Sequence, residues 1–516
     1  MMENKKNLAQ ELSNKLWTMA NELRGTMDAS EFKNYILSLI FYKFLSDKTV
    51  HYFDEQLKLD NLTYIEGWKD EEFREEIKEE SLEILGYILE PKYLFSSLLQ
   101  MIEENTFSID YLEEAINSIV NSTQGQPSEK DFKGLFEDMD LRASRLGKVV
   151  ADRTKAIGKI MQTIDTIEVD YNTKDIDLLG EAYIHLISKF ASTAGKSAGE
   201  FFSPQCVSRL CSKLATLGLT NIKSVFDPTC GSGSLLLQAG EDGRKVSHYY
   251  GQELTQTTYN LARMNMMLHG VDYQNFQIVN CNTLTDDTEL HDKKFTVQCA
   301  NPPFSLRYNA DKSLLEDERF APYGVLAPKS YADLMFVEHM IYHMDEEDGR
   351  IAVVLPHGVL FRSGAEQKIR QYMIETQNYL DAVIGLPGNL FTTTGIAVCI
   401  LVYKKKRNGN SNNICFIDAS QEFATEGKVN ILTEEHINKI VQTYAERKEV
   451  EKYCHIASLD EVKENDYNLN IPRYVDTFEE EPLIDIQAER AKLKEILIHK
   501  QAAWEKVNAG LKELGL

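Results

Sequence analysis

The residues best suited to chemistry in this sequence form one tetrad: Asn301, Pro302, Pro303 and Phe304. The tetrad follows the apolar run 295–300, which predicts a buried strand. Prolines have no backbone N–H and a fixed φ, so their carbonyls and the asparagine side-chain oxygen form a rigid row of acceptors. Such a row suits an exocyclic amino group whose lone pair must be freed to attack an electrophilic methyl, and the phenylalanine ring offers a face on which a planar base can stack. Asn-Pro pairs also mark ordinary turns, so this stretch alone leaves both interpretations open.

A second candidate stretch, from Asp227 to Gly233, follows a short apolar strand and leads into a helix. Glycines let the backbone come close to a ligand, as in nucleotide-binding turns between a strand and a helix. An acidic residue at the strand end is unsuited to phosphate. It suits a cation such as the amino group or the sulfonium of S-adenosylmethionine. A purely structural loop of this composition is the alternative.

Three further stretches carry polar residues at expected element ends. Glu253 ends the predicted strand 249–253, where a carboxylate can accept hydrogen bonds from two ribose hydroxyls. Asn282 follows the predicted strand 276–279 and is placed to reach an adenine ring. The small-residue run that ends at Pro204 opens a helix, and it is either a ligand-binding entry or an interhelical loop.

Strands and helices alternate through the middle of the chain, which predicts the frame that holds these residues. The fold class expected is α/β, a Rossmann-like doubly wound, mostly parallel sheet whose last strands finish antiparallel. Ligands bind such sheets at the carboxyl ends of the strands, where the candidate residues lie. We therefore predict a catalytic domain over 166–420.

The two ends of the chain have helical patterns. Residues 1–165 show helical spacing, as in Phe32, Ile36, Ile40 and Phe44, and predict an N-terminal helical domain for docking or clamping. Residues 421–516 are predicted to be a C-terminal helical region for subunit contacts. Apolar residues there follow a spacing of three to four that predicts a short coiled-coil-like seam, packed either on this chain or on a partner helix: Leu483, Ile486, Leu493, Leu497, Trp504, Val507, Leu511 and Leu514.

Composition limits the functions that this chain performs alone. With 56 basic and 80 acidic residues in 516, the net charge is −24. A protein that grips nucleic acid alone needs a basic face, so another polypeptide is expected to supply much of that grip. No apolar run approaches the ~18 residues that span a bilayer, and the N-terminus leads into no apolar segment, so a cytoplasmic protein without membrane contact is expected. The eight cysteines form no CxxC pair, and no metal site is expected.

Taken together, these stretches resemble the amino-methylating DNA methyltransferases, and more narrowly the modification subunit of Type I restriction–modification systems. The resemblance covers nearly the whole chain. The segment around Glu200, Phe201, Phe202, Ser203 and Pro204 is similar to the family's cofactor motif ahead of the first strand. The stretch 227–233 resembles its glycine loop, with Asp227, Thr229, Gly231, Ser232 and Gly233 as cofactor contacts, Glu253 its ribose carboxylate and 301–304 its catalytic tetrad.

The resemblance implies a class I methyltransferase fold and site-specific methylation of adenine N6 in duplex DNA, with S-adenosylmethionine as cofactor. Asn301 and the Pro302 carbonyl would hold the amino group of a flipped adenine, and Phe304 would stack on it. The implied partners are double-stranded DNA, a DNA-sequence specificity subunit that binds two copies of this chain, and a restriction subunit that acts as translocase and nuclease.

The sequence departs from the family in three respects. The family commonly has aspartate where Asn282 stands. A second aromatic is expected to complete the base sandwich, and Phe391 is the candidate. Residues 420–516 are too short and helical for a target-recognition domain, which agrees with a separate specificity subunit. A scaffold that binds cofactor without turnover, and a methyltransferase acting on cytosine N4 or on protein glutamine, are the alternatives.

Overall fold

A helical region opens the chain. The computed structural model describes residues 14–15, 17–18, 29–166, 176–193, 203–391, 394–427, 429–477 and 486–515. In the part described before residue 167 there are helices and no strand: α1 (Ala29–Gln56), α2 (Tyr64–Gly67), α3 (Glu71–Glu80), α4 (Phe95–Glu103), α5 (Ile109–Ser122), α6 (Glu129–Phe132) and α7 (Val150–Asp165). The four apolar residues of α1 predicted to share a face, from Phe32 to Phe44, are all buried.

A nine-stranded sheet belongs to the first compact unit of the chain, residues 1–475. Its strands are β1 (Asn221–Asp227), β2 (Lys245–Glu253), β3 (Phe276–Asn280), β4 (Val297–Ala300), β5 (Arg350–Pro356), β6 (Leu380–Gly385), β7 (Val398–Lys404), β8 (Asn413–Asp418) and β11 (Cys454–Ser458). The order across the sheet is β11-β8-β6-β7-β5-β4-β1-β2-β3. Strands β3, β2, β1, β4 and β5 run parallel. Strand β7 is antiparallel to both of its neighbours, and β11 is antiparallel to β8.

Helices cover both faces of this sheet, which confirms the doubly wound α/β fold. Along β5, Ala352 and Val354 enter one hydrophobic core, whereas Ile351, Val353 and Leu355 enter another on the opposite face. Such strands read as continuous apolar runs because both faces are buried. The helices of this part are α8 (Ile176–Thr193), α9 (Gln205–Ala215), α10 (Ser234–Gln238), α11 (Gln256–Leu268), α12 (Asp333–Tyr342), α13 (Gly358–Phe361), α14 (Ala365–Gln371), α15 (Glu434–Glu446) and α16 (Leu459–Glu464).

Arg263 joins the N-terminal helices to the sheet. It lies on α11, is almost fully buried, and donates from Nη1 to the carbonyls of Lys130, Asp131 and Lys133 at 2.9, 3.1 and 3.0 Å. Its guanidinium also lies 4.1 Å from the ring centre of Tyr259. One cation therefore satisfies three backbone acceptors at the contact between the two regions.

The segment after residue 420 is helical, as predicted, and also contains short strands that were not predicted. It contributes the edge strand β11 and a hairpin of β9 (Ala424–Glu426) and β10 (Val429–Ile431). These strands are three to five residues long, and none of them is a continuous apolar run that would mark a strand. The boundaries at 165 and 420 stay predictions.

Residues 476–516 form a compact unit of their own. Its described part is dominated by α17 (Ile486–Glu513). The seam residues of this helix, and Leu514 just beyond it, are exposed, including Leu497 at 51% and Trp504 at 61%, while Leu483 lies outside the described residues. No described helix of the chain is both long and apolar enough to cross a membrane.

Candidate active site

The sheet order brings the predicted site residues to one edge. Because β4, β1, β2 and β3 are parallel neighbours, their carboxyl ends lie side by side. Asn301 follows β4, Asp227 ends β1, and Glu253 ends β2 opposite Asn280 of β3. The sequence expectation that these residues share one ligand-binding edge agrees with this topology.

The side chain of Asn301 is held at one end and free at the other. Its amide Nδ2 donates to Ser203 Oγ at 3.0 Å. Its Oδ1 is buried and has no hydrogen-bond partner among the described residues. Buried amide oxygens normally have a partner, so an unpartnered one at a ligand-binding edge is suited to a donor that comes with the ligand.

The prolines of the tetrad extend this acceptor surface. Within the described part of the chain no group donates a hydrogen bond to the carbonyl of Pro302 or Pro303. Immediately after the tetrad, Ser305 has a φ of 53°, a left-handed conformation that non-glycine residues rarely adopt. Its backbone N–H donates to Oδ1 of the buried Asp333 at 2.8 Å, which holds the chain in this turn.

Phe304 and Phe391 lie in direct contact. Their ring centres are 5.6 Å apart and the ring planes meet at 78°, an edge-to-face arrangement. Stacking a base between two rings requires about 7 Å, twice a carbon–carbon contact distance. The predicted aromatic pair is therefore brought together, and a base enters between the rings only if one of them moves.

The glycine turn after β1 has the conformation that its glycines allow. Gly231 and Gly233 have φ values of 55° and 78°. Asp227 Oδ1 accepts the backbone N–H and the hydroxyl of Thr229 at 2.9 and 3.3 Å. Ser232 is buried, and its hydroxyl lies 3.0 Å from that of Ser234.

Electrostatics at this turn favour a cationic ligand. Burial raises the pKa of Asp227 to about 7, against hydrogen bonds from Thr229 that lower it. Burial likewise raises the pKa of Glu253, and hydrogen bonds from the Thr255 and Gly231 backbone oppose that rise. A positive group bound beside these carboxyls would stabilise their ionised forms.

The sequence did not identify the residues that support the turn after β1 and the end of β2. Gly251 is needed because a Cβ there would lie 2.8 Å from Cys230 Sγ in the glycine turn. Asn280 donates from Nδ2 to the carbonyls of Glu253 and Leu254 at 2.8 and 3.0 Å, and Leu254 is 66% exposed. The sequence signal that could have identified this place is Leu254, an apolar residue directly after the carboxylate that ends β2.

The other residues predicted to bind cofactor are Asn282 and the segment 200–204. Asn282 is exposed, and its Oδ1 accepts the backbone N–H of Leu284 at 3.2 Å. Pro204 immediately precedes α9, as the prediction of a proline-opened helix requires. The three residues before Ser203 that were predicted to bind cofactor, at positions 200–202, lie outside the described residues.

One buried cluster, in contact with Gln252, contains side chains that could bind a metal ion, although no metal site was predicted. Asp287, His339 and His343 have potential ligand atoms within 4.8 Å of one another. Arg319 lies with Nη1 3.0 Å from His339 Nδ1, so Nδ1 accepts and the proton lies on Nε2, which donates to Gln252 Oε1 at 3.0 Å. A metal at Nε2 would move the proton to Nδ1, against the Arg319 donor.

His343 completes the same network. Its Nδ1 faces the Lys293 carbonyl at 2.8 Å, and its Nε2 faces Asp287 Oδ2 at 3.0 Å. All four ring nitrogens of His339 and His343 thus have partners, and the cluster acts as a hydrogen-bond network between β2 and α12.

The fold and the row of strand-end residues define the class: this is a class I methyltransferase fold. Comparison with known proteins then gives the family. The chain belongs to the N-6 DNA methylase family, whose model matches residues 174–482, and the model of the HsdM N-terminal domain matches residues 12–164. The resemblance inferred from the motifs is confirmed.

Relatives match almost the full length. The chain is 40% identical to the Type I restriction enzyme MpnII methylase subunit of Mycoplasma pneumoniae, over 94% of this chain and 92% of that one. It is 32% identical to the Type I restriction enzyme MjaVII methylase subunit of Methanocaldococcus jannaschii, over 75% and 66%. The crystal structure of a type I restriction-modification methyltransferase subunit from Streptococcus thermophilus is 38% identical, covers 91% of this chain and 100% of that one, and superposes with a TM-score of 0.83.

Proposed function

We propose that this chain methylates the N6 amino group of an adenine flipped out of duplex DNA, as the modification subunit of a Type I restriction–modification complex. S-adenosylmethionine supplies the electrophilic methyl. Asn301 Oδ1 and the Pro302 carbonyl accept hydrogen bonds from the amino group and draw it towards tetrahedral geometry. Phe304 stacks on the base. Catalysis then consists mainly of positioning the amine in line with the methyl–sulfur bond.

The observation that carries this proposal is the buried, unpartnered Oδ1 of Asn301 at the end of β4. Its position beside two proline carbonyls leaves acceptors and no backbone donors facing the ligand. An amino group satisfies such a surface, whereas a carbonyl or phosphate oxygen does not.

The residues beyond β1, β2 and β3 fit S-adenosylmethionine. The Asp227 carboxyl, whose pKa is raised by burial, gains from a nearby ammonium or sulfonium. Glu253 faces the ribose, and the exposed Leu254 offers an apolar surface to adenine. Asn282 is oriented by the bond from the Leu284 N–H to its oxygen, and its Nδ2 can donate to a ring nitrogen of adenine.

The charge distribution supports a partner that grips DNA. The basic run 404–407 is engaged in ion pairs within this chain: Lys405 pairs with Glu346 at 2.9 Å, and Lys406 pairs with Glu347. Lys404 and Arg407 both pair with Asp381, at 3.4 and 3.2 Å. With the net charge of −24, this leaves recognition of DNA to a specificity subunit.

The tail helix α17 supplies the proposed contact with that subunit. Its exposed seam is a narrow apolar stripe of the kind that packs against another helix. We assign its occupant as a helix of the specificity subunit, with two copies of this chain on each such subunit. A restriction subunit completes the complex, and the cytoplasm is the proposed location, where its DNA and cofactor are found.

The test uses the complex of this chain with its specificity subunit, incubated with duplex DNA and S-adenosylmethionine, followed by digestion and identification of the methylated nucleoside by mass. N6-methyladenine is expected. N4-methylcytosine, or a methylated protein glutamine with unmodified DNA, contradicts the substrate. A complex that binds its DNA site and never methylates it indicates a scaffold.

The asparagine is tested in the same assay. Asn301→Ala is expected to abolish methylation and to leave cofactor binding intact. The matched control is Asn275→Ala, an exposed asparagine before β3 at the opposite edge of the sheet. Activity near that of the wild type in Asn301→Ala refutes the assigned role.

A further inference from the structure

The catalytic amide of Asn301 has two chemically different ends. Its oxygen accepts hydrogen bonds and its nitrogen only donates. If the nitrogen faced the amino group of the base, two donors would oppose each other and the lone pair would not be freed. The values of χ2, the last side-chain torsion of asparagine, have a broad and roughly two-fold distribution. The side chain alone therefore does not select the orientation in which the oxygen faces the base.

Ser203 meets the end of the amide that must face away from the base. Its Oγ accepts from Asn301 Nδ2 at 3.0 Å, a contact between residues 98 positions apart in the chain. The other end, Oδ1, is left buried and without a partner in the described part of the chain. With an amino group at Oδ1 and Ser203 at Nδ2, both ends of the amide are satisfied together.

The element that presents Ser203 is firmly anchored. Pro204 is the residue directly before α9, and its ring fixes its φ at −54°. Its carbonyl accepts hydrogen bonds from the N–H groups of Val207 and Ser208 at 3.0 Å each. Cys211 on the same helix donates to the carbonyl of Ala352 in β5 at 3.0 Å. The serine hydroxyl is therefore held in a fixed place relative to the sheet that carries Asn301.

We propose that Ser203 is a positioning residue for catalysis: it holds Asn301 Nδ2 and so keeps Oδ1 turned to the base. This inference rests on the proposed function and changes the role expected for Ser203 from cofactor contact to orientation of the amide. It predicts that the hydroxyl affects the methyl-transfer rate and leaves cofactor affinity unchanged.

The experiment compares Ser203→Ala with Ser203→Thr in the complex with the specificity subunit. With saturating cofactor and DNA, Ser203→Ala is expected to lower the single-turnover methylation rate about 10- to 100-fold, the range for a small misplacement of a reacting group. Its Kd for S-adenosylmethionine and its KM for DNA are expected to stay within about twofold of the wild type, since no contact to either is removed. Ser203→Thr keeps the hydroxyl and is expected to restore most of the rate.

The matched control is Ser208→Ala, a buried serine on α9 whose hydroxyl has no partner among the described residues. Its rate is expected to equal that of the wild type.

Three results overturn the inference. The first is an unchanged rate in Ser203→Ala, and the second is a raised Kd for cofactor with a normal rate at saturation, which makes Ser203 a cofactor contact. Equal losses in Ser203→Ala and Ser203→Thr also overturn it, because the hydroxyl is then not the cause. Failure of the proposed function is distinguished from failure of this inference, because the wild-type complex would then form no N6-methyladenine.

Discussion

Glu253 accepts the backbone N–H of Gly231 at 3.1 Å, which ties the carboxylate at the end of β2 to the glycine turn after β1. Its other oxygen accepts the N–H of Thr255 at 2.7 Å. These two bonds fix the carboxylate at the end of the strand, where we propose that its remaining acceptor capacity binds the ribose hydroxyls. One side chain would then shape the turn and hold the sugar.

Replacing Glu253 by glutamine tests this double role. The amide nitrogen of Glu253→Gln would face a backbone N–H on one side or the other, so two donors would oppose each other. We expect the Kd for S-adenosylmethionine to rise at least about 10-fold, as for an unpaired buried polar group. Titration calorimetry measures this, with the exposed Glu451→Gln as control. Equal affinities of Glu253→Gln and wild type contradict the assignment.

The pH dependence of cofactor binding follows from Asp227. Its folded pKa of about 7 lies above the ordinary 3.8, so the carboxyl of the cofactor-free protein is protonated below about pH 7. This favours the folded cofactor-free protein at acid pH, and the contribution is lost as the pH rises through about 7. A cationic ligand requires the ionised form, so affinity is expected to fall about tenfold for each pH unit below 7.

Measuring the protons released on cofactor binding shows whether Asp227 or another group causes this pH dependence. Calorimetry in two buffers of different ionisation enthalpy is expected to detect about one proton released per cofactor bound near pH 6 and fewer near pH 8. Asp227→Asn should bind more weakly and lose this release. The same proton release in Asp227→Asn would assign the titration to another group.

Arg263 is expected to control the stability of the contact between the N-terminal helices and the sheet. Arg263→Met keeps the aliphatic length and leaves three carbonyls without their donor, which should lower the free energy of unfolding by about 3 kcal/mol or more. Urea denaturation measures the change. The control is Arg142→Met, whose pair with Glu113 at 2.9 Å lies at the surface and should matter far less. Similar losses in both variants contradict the account.

The chain without its partners is expected to bind DNA weakly. In fluorescence anisotropy at about 0.15 M salt, its Kd for any duplex should be no tighter than the ~10⁻⁶ M of non-specific binding. Adding the specificity subunit should make binding tight and sequence-dependent. Tight, specific binding by the purified chain alone is the opposite outcome.

The tail seam is tested by its effect on assembly. Leu497→Glu places a charge in the exposed apolar stripe of α17 and should prevent co-purification with the specificity subunit. Ala502→Glu places the same charge on the opposite side of the helix and should have no effect. S-adenosylmethionine binding should be intact in both variants. Normal assembly of Leu497→Glu rules out the seam as the contact.

The sheet was predictable because its strands are short apolar runs followed directly by distinctive residues. Asp227 and Asn301 end or follow such a run, Glu253 ends a more polar strand that contains Tyr249 and Tyr250, and parallel strands bring these ends together. The small strands of the segment after 420 were not predictable. Strand β11 is not a continuous apolar run, and its pairing with β8 depends on sequence-distant partners.

Contacts within the site were also beyond sequence reasoning. The bond between Ser203 and Asn301, and the clamp of Asn280 on the end of β2, depend on where the backbone places side chains, which no local spacing encodes. The roles assigned to individual site residues therefore stay predictions, while the fold and the family are established.

The role of Asn301 in holding the adenine amino group is tested by a structure of the complex with duplex DNA and the unreactive cofactor analogue sinefungin. We expect a flipped adenine at the end of β4, with its N6 about 3 Å from Asn301 Oδ1, the length of a hydrogen bond. The amino group should point at the position of the transferable methyl. An adenine that stays in the duplex, or a flipped base whose N6 faces away from Asn301, would contradict the account.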